Sequence, residues 1–492
     1  MMTAFANLTL RRLLILLAVY IIASNFALNS SILADPDYWW HLRTGQWIVA
    51  HGTVPMTDPF SSWGAGKPWA AYSWLFELVL YGLYQRFGLT SILIYKVPIL
   101  IGILWSVLTL LRRLGQSFPA AIGMTILILL VLTQSLTPRP WLLTILLFTL
   151  ELHVLLHFRQ SGKPRCLLWL LPLFALWANL HIQFIYGFIP LGLVVAEPVI
   201  EEFLRRPFSM RWVRTALQFR WWLMLPACFA ATLVTPYHIY LYRPVLEITQ
   251  QTAVYQFVTE LQSMNFRHPA HWIVLGLVLW AAYRLGAQSV RRAFPPLFLL
   301  AGVALTFRST RDVWVAALAA VTILALVRPA TAVVQEQALP KLGMLAVFLL
   351  ACFLTFFLAK RYDLSEQSLQ NEVEKSYPVA ASRIVEERGY QGPLYNHFNW
   401  GGYLIWRLPN LPVSMDGRTN VYGEERIQRA LDTWIGKLGW ASDPELSAAG
   451  IVIADVNMPL CSLLRLDQRF ELVYEDAVAA VFRKTMIRYE ER

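Results

Sequence analysis

RRLLILLAVYIIASNFALNSSILADPDYWWH, residues 11–41, passes from an arginine pair through a long apolar run into an acidic, aromatic stretch. The run near 12–33 is long enough to cross a bilayer, for which roughly 20 apolar residues suffice. It exceeds the ~7–15-residue core of a secretory signal peptide, so an uncleaved anchor is the expectation. The arginines hold one end in the cytoplasm, and the residues from Ala34 onward then lie outside. The rest of the chain is of the same kind. Its 492 residues are 57% hydrophobic and 15% charged, with a mean hydropathy of +0.48. A soluble domain carries about 25% charged residues. Too few polar groups remain to cover a water-facing surface. A soluble enzyme of this length, a disordered chain and a disulfide-rich secreted module are excluded, and a polytopic membrane protein remains.

Further apolar runs follow near 90–111, 120–136, 140–158, 166–180, 184–200, 221–235, 271–283, 294–307, 312–327 and 341–359. With the first they predict an all-α polytopic membrane domain over 1–359, of about eleven spans. The net charge of +11 tests the orientation. With the N-terminus in the cytoplasm, the inner segments 1–12, 112–118, 159–165, 201–220, 284–293 and 328–341 hold seventeen Lys and Arg. The longer outer segments 34–89, 137–139, 181–183, 236–270 and 308–311 hold eight. This bias fits one orientation. It requires that 71–87 (AYSWLFELVLYGLYQRF) not cross, and Glu77 with its aromatic neighbours suits a helix lying in the interface. An odd number of spans puts the C-terminus outside.

Residues 360–492 are a different material, reading as alternating helix and strand. Residues 378–389 look helical, stopped by Gly389. GPLYNHF, LPVSMDG, GIVIADV, FELVYED and AVAAVFR read as strands. A small extracytoplasmic α/β domain follows, large enough for its own core. The four cysteines, Cys166, Cys228, Cys352 and Cys461, show no pairing pattern, so no disulfide or zinc framework is implied. Phosphate-loop, Rossmann, HExxH, CxxC and GxSxG patterns are absent.

The loop after the first span, ADPDYWWHLRTGQWIVAHGTVPMTDPFSSWGAGKPW (34–69), gathers Asp35, Asp37, His41, Arg43, His51, Asp58 and Lys67 with five tryptophans. Apolar proteins rarely concentrate titratable groups in this way without a site. A structural reading stands beside that one. Asp35-Pro36 is a helix start, Asp37 a first-turn acid favoured by the helix dipole, Gly52 a helix stop and Asp58-Pro59 a turn. On a helix over 36–50, Asp37, His41 and either Trp40 or Thr44 share one side. Two carboxylates suit a general base or oxygen ligands for a divalent cation, magnesium or manganese. The tryptophans, Trp39 and Trp40 among them, suit either stacking on sugar rings or an interfacial belt.

This loop resembles the first external loop of the GT-C superfamily, membrane glycosyltransferases that take sugars from polyprenyl-phosphate or polyprenyl-diphosphate donors. DPDYWWH (35–41), HGTVPMTDPFS (51–61), WGGYL (400–404) and DGR (416–418) look like the pattern of a widespread bacterial branch. That branch is distantly similar to oligosaccharyltransferase catalytic subunits and protein O-mannosyltransferases. The resemblance implies a GT-C fold in a bacterial inner membrane and a carboxylate, Asp35 or Asp37, acting as base or metal ligand. It also implies a polyprenyl-phosphate-sugar donor and a glycan, lipid or protein acceptor.

Other candidates lie on the same expected outer face. TPRP holds Arg139, and FRSTRD holds Arg308 and Arg311. Outer arginines run against the orientation bias, and bidentate guanidinium contacts suit a lipid phosphate. Span-end snorkelling is the alternative. Asn179 and His181 stand at an outer span end. The long loop 236–270, with His238, Arg243, Glu247 and Glu260, reads as a functional loop. In the C-terminal domain Trp400, Tyr403, Asp416 and Arg418 are candidates for substrate contact. NWGGYL is reminiscent of the oligosaccharyltransferase motif that reads an acceptor peptide, although the adjacent Trp-Trp-Asp of that motif is absent. Lys96 and Glu151 fall inside expected spans, Glu151 near enough to the cytoplasmic face to reach it. The leading expectation is an inverting membrane glycosyltransferase. A transporter or lipid flippase and a non-catalytic relative that binds a glycan or partner are the alternatives.

Overall fold

The computed structural model describes residues 10–29, 35–250, 258–288, 292–327 and 341–485. The end of the first expected span (30–33), part of the outer loop (251–257) and the inner segment 328–340 lie outside the described residues. The chain forms two compact units, residues 1–30, 93–235 and 258–364 in one, and 31–92, 236–257 and 365–492 in the other.

The first unit is helical, and each apolar run assigned to it folds as helix. The helices Leu10–Asn29, Ser91–Arg113, Phe118–Leu132, Trp141–Ser161, Leu170–Leu180, Phe188–Arg205, Pro269–Ala287, Phe294–Arg308, Val313–Leu326 and Lys341–Arg361 fall on or beside the runs read from sequence. Among the described residues, five helical stretches are long and apolar enough to cross a membrane: Trp74–Arg113, Phe118–Ser135, Trp141–Ser161, Ile182–Arg205 and Pro269–Ala287. Others of the expected spans are helices shorter than this, and the run 221–235 falls furthest short. The run 221–235 yields only Met224–Thr232 behind a 3-10 turn, Arg220–Leu223. At 1.5 Å per residue its nine residues reach about 14 Å, half of a bilayer core. Arg220 and the tryptophans beside it end the apolar stretch too early. Glu151 also differs from expectation. It is fully buried, with neither carboxylate oxygen hydrogen-bonded, so it does not reach the cytoplasmic face. Gly187 leaves room for it: a Cβ there would meet Glu151, Phe174 and Trp177.

The second unit joins the loop after the first helix to the C-terminal domain. Its sheet has the order β1-β2-β4-β3, from Leu394–Asn396 (β1), Ile451–Asp455 (β2), Phe470–Glu475 (β3) and Ala479–Lys484 (β4). β1 and β2 are parallel; β2 with β4 and β4 with β3 are antiparallel. The β-branched run of β2 is buried along its first four residues, as a central strand requires. Tyr395, Trp434, Leu460, Cys461 and Phe482 pack the core over it. LPVSMDG is not a strand. Val413 makes a lone bridge to Ser61 of the first loop, and Asn396 holds Ser414 and Met415 through its side-chain amide.

The loop itself is ordered by two helices. Asp37–His51 starts where the Asp35 carboxylate accepts the Asp37 N–H at 3.0 Å. It ends at Gly52, whose φ of +66° only glycine adopts cheaply. Trp74–Phe87 packs against it, and Gly45 permits the approach: a Cβ there would collide with the Glu77 carbonyl. On another side Gly401–Arg407 packs against Asp37–His51. Gly402 lies under the Pro36 carbonyl and Gly401 under that of Met415, with no room for side chains.

Candidate functional site

Asp35 and Asp37 stand at the head of the helix Asp37–His51. Asp35 is buried, and its Oδ1 is used by the helix N-terminus. Asp37 is half-buried. Its carboxylate rests against Gly417, where a Cβ would overlap it and come close to the indole nitrogen of Trp40. That indole N–H is buried without a hydrogen-bond partner. The helix, the DGR turn and the absence of a side chain at 417 thus set the place of the half-buried Asp37 carboxylate. Among the described residues no three His, Cys, Asp or Glu side chains gather closely enough to hold a metal ion. The acidic pair alone supplies fewer oxygens than a magnesium or calcium ion takes.

The other loop candidates turn inward. His41 Nδ1 meets Glu77 Oε1 at 2.9 Å, with both residues almost inaccessible. Glu77 was read as the polar side of an interfacial helix; it is instead fully buried, because His41 lies one helix away to receive it. His41 stacks on Trp40, ring centroids 3.6 Å apart. Arg43 donates to Gln46. Trp39 is enclosed by Tyr377 and Tyr403, centroids 5.7 and 5.2 Å away, and the indole of Trp400 donates to the Ser376 carbonyl at 3.0 Å. Trp39, Trp40, His41, Trp400 and Tyr403 are therefore packing groups of this unit rather than surfaces open to a sugar.

Asp58, Asp416 and Arg418 require the same correction. The Arg418 guanidinium gives Nη1 to Asp58 at 2.6 Å and Nε and Nη2 to Asp416 at 2.8 and 2.7 Å. The Tyr422 hydroxyl donates to Asp416 at 2.5 Å. Side-chain exposure is 1% for Arg418 and nil for the two carboxylates. Phe60 and Trp69 close over the cation. Burial alone would lower the arginine's pKa, but Asp416 and Asp58 raise it well above the ordinary value, so the triad is permanently charged and mutually satisfied. It fastens the first loop to the C-terminal domain and leaves nothing over for a substrate. His238 is exposed, at φ +46°. Its neighbour Tyr237 is buried, donating to the Pro55 carbonyl and accepting from the Ala71 N–H, both at 2.9 Å.

The arginine candidates belong to the first unit. Arg139 Nη1 lies 2.9 Å from Glu260 Oε1, and Arg311 Nη2 reaches the same oxygen. Both guanidinium groups sit on the Trp141 ring, 4.9 and 5.3 Å from its centroid. Burial tends to raise the Glu260 pKa, and the two arginines more than reverse it, so Glu260 is ionised. Arg308 is exposed. Asp312 is occupied by Tyr186 at 2.8 Å and Gln183 at 3.2 Å. His181 shares a 2.8 Å hydrogen bond with Thr144, which accepts from Trp177. Burial first, then the Arg311 and Arg139 charges, lower its pKa to about 3. Trp141 was not singled out in the sequence, and Glu260 was named only among the charged residues of the loop 236–270. The signal for Glu260 was there: Arg139 and Arg311 need a counter-charge, and it is an acid of the loop 236–270.

No family model matches the chain, and no curated protein matches it in sequence. Solved structures do. The oligosaccharyltransferase of Archaeoglobus fulgidus in its apo form superposes with a TM-score of 0.53 at 11% identity, over 90% of this chain and 69% of that one. The chain shares the GT-C fold. A second structure of that archaeal oligosaccharyltransferase, AglB, in complex with an inhibitory peptide and a dolichol-phosphate, gives 0.52 at 12% identity, over 92% and 70% of the two chains. ArnT from Cupriavidus metallidurans bound to undecaprenyl phosphate gives 0.49 at 12%, over 96% and 98%. At such identities the GT-C likeness is one of fold.

Proposed function

We propose that this protein is an integral-membrane glycosyltransferase that moves a sugar from a polyprenyl-phosphate donor to a glycan, lipid or protein acceptor outside the cytoplasm. The observation that carries the reading is Asp37. In a fold shared with an oligosaccharyltransferase, it is the half-buried acid of the first-loop pair, at the head of the helix Asp37–His51, whereas Asp35 is buried and accepts the Asp37 N–H. The AglB complex with a dolichol-phosphate supports the class of donor.

In the proposed reaction the Asp37 carboxylate takes the proton of an acceptor hydroxyl, and that oxygen attacks the anomeric carbon from the face opposite the phosphate. The carbon–oxygen bond to the phosphate breaks with inversion, and the phosphate leaves with the electron pair. We assign the binding of the donor phosphate to Arg139, Arg308 and Arg311, all of the first unit, since guanidinium groups suit a phosphate. Were a divalent cation bound, Asp35 and Asp37 would be the residues to hold it, and it would supply charge neutralisation on the phosphate. Asp35 otherwise holds the helix start that aims Asp37.

The test is sugar transfer in membranes carrying Asp37→Asn or Asp35→Asn. The expected result is a loss of at least 100-fold in Asp37→Asn. Asp35→Asn retains most activity, because asparagine caps a helix about as well as aspartate. Undiminished transfer in Asp37→Asn overturns the mechanism.

A further inference from the structure

Two guanidinium groups converging on one carboxylate oxygen make an anion site that already contains an anion. Arg139 and Arg311 carry two positive charges against the single charge of the carboxylate they share, Glu260; Asp312, the other acid that Arg311 feels, is hydrogen-bonded by Tyr186 and Gln183. Their position does not depend on Glu260 alone. Trp141 lies under both cations, and its own indole is fixed by a 3.0 Å bond to the Ser135 carbonyl. The Arg139 carbonyl accepts the Tyr95 hydroxyl at 2.8 Å. Arg311 keeps one N–H, at Nε, buried and unbonded. The cluster is also reachable, with side-chain exposure of 15% for Arg139 and 27% each for Arg311 and Glu260. The backbone around Glu260 is tied to the segment bearing Arg311. Thr310 donates its N–H and hydroxyl to the Gln262 carbonyl, each at 2.8 Å, and Ser309 donates to the Glu260 carbonyl at 3.3 Å. Only the Glu260 side chain is left to rotate.

We propose that Glu260 is a specificity-determining residue, a tethered carboxylate that occupies the phosphate site of Arg139 and Arg311 until the phosphate of a membrane-anchored donor displaces it. The inference rests on the reading that these arginines bind the donor phosphate. A tethered competitor acts at a high effective concentration, and a site that is free for only a fraction of the time binds more weakly by that fraction. Small anions from water then fail to compete. A donor concentrated in the bilayer succeeds: the two free oxygens of its phosphodiester reach both guanidinium groups, and the third oxygen freed when the sugar leaves can meet the idle Nε of Arg311. When the phosphate departs, Glu260 returns and helps to expel it.

The experiment uses the full chain in lipid nanodiscs with two probes, undecaprenyl phosphate in the bilayer and inorganic phosphate in the buffer. Wild-type protein is expected to bind the lipid and to ignore millimolar inorganic phosphate. Glu260→Gln tightens binding of the lipid by about tenfold and admits inorganic phosphate. Glu260→Asp, one methylene short of spanning both arginines, moves in the same direction by less, and it decides the matter if Glu260→Gln does not fold. If both variants bind as wild type or more weakly, while Arg139→Gln and Arg311→Gln lose the lipid, the inference is wrong and the donor reading stands. If the arginine variants bind the lipid as wild type does, the donor reading fails and takes the inference with it.

Discussion

His181 shows how far a side chain's neighbours can move it from its ordinary chemistry. In water an imidazole titrates near 6.5; here burial and two guanidinium charges bring it to about 3. The folded state therefore holds a neutral ring down to acid pH, whereas the unfolded chain takes up a proton below 6.5. Between those values the unfolded state binds more protons, so stability falls as pH falls, by on the order of a few kcal/mol over the window. Thermal melts of purified protein between pH 7.5 and 4 should show this loss, and His181→Gln should flatten it; an unchanged acid limb would assign the effect elsewhere. Sequence inspection found His181 but gave it a substrate, because its partners Thr144 and Trp177 lie more than thirty positions upstream and a few positions upstream respectively, and only folding joins them. The cap at Asp35 was legible for the opposite reason, since both its atoms and its partner are two residues apart.

Elements were easier to read than their partners. The helix Asp37–His51 was marked at both ends by local signals, proline at the start and glycine at the stop, and it came out where they said. Its packing was not legible. The glycines that let Gly401–Arg407 approach it are written some 360 positions downstream, as is the arginine that receives Asp58. LPVSMDG had the alternation of a strand, yet side-chain amide bonds from Asn396 and a bridge to the first loop hold it instead. The element-scale prediction concerns that fastening. Arg418→Ala leaves Asp58 and Asp416 buried and charged without a cation, a change that costs about 3–5 kcal/mol. Limited proteolysis should then cut the first loop and the C-terminal domain at protease concentrations that spare wild type, and Arg418→Lys should recover little, since lysine lacks the planar fork. Wild-type protection in Arg418→Ala would mean that the glycine-mediated helix packing suffices alone.

For the molecule as a whole, the fold class was visible in composition and in the placement of arginines, since a bilayer leaves few alternatives for a chain this apolar. The number of crossings was less so, because a run of the right composition at 221–235 delivers a helix of half the needed length. The orientation remains a proposal with a direct check. An alkaline phosphatase fused after Lys484 should be active, and green fluorescent protein at the same point should be dark, if the α/β domain is extracytoplasmic; the reverse pattern would place the domain inside. One consequence reaches into biosynthesis. Asp58 and Arg418 are separated by 360 residues, so at about 5–20 residues per second the loop leaves the ribosome roughly 20–70 seconds before its clasp exists. During that interval an acidic, tryptophan-laden hairpin waits unfastened, and a chain interrupted before the clasp is made can never close it. Such fragments should be recognised and degraded by the quality-control proteases of the membrane, so loss of the last 75 residues, Arg418 among them, should be as damaging as loss of the loop itself.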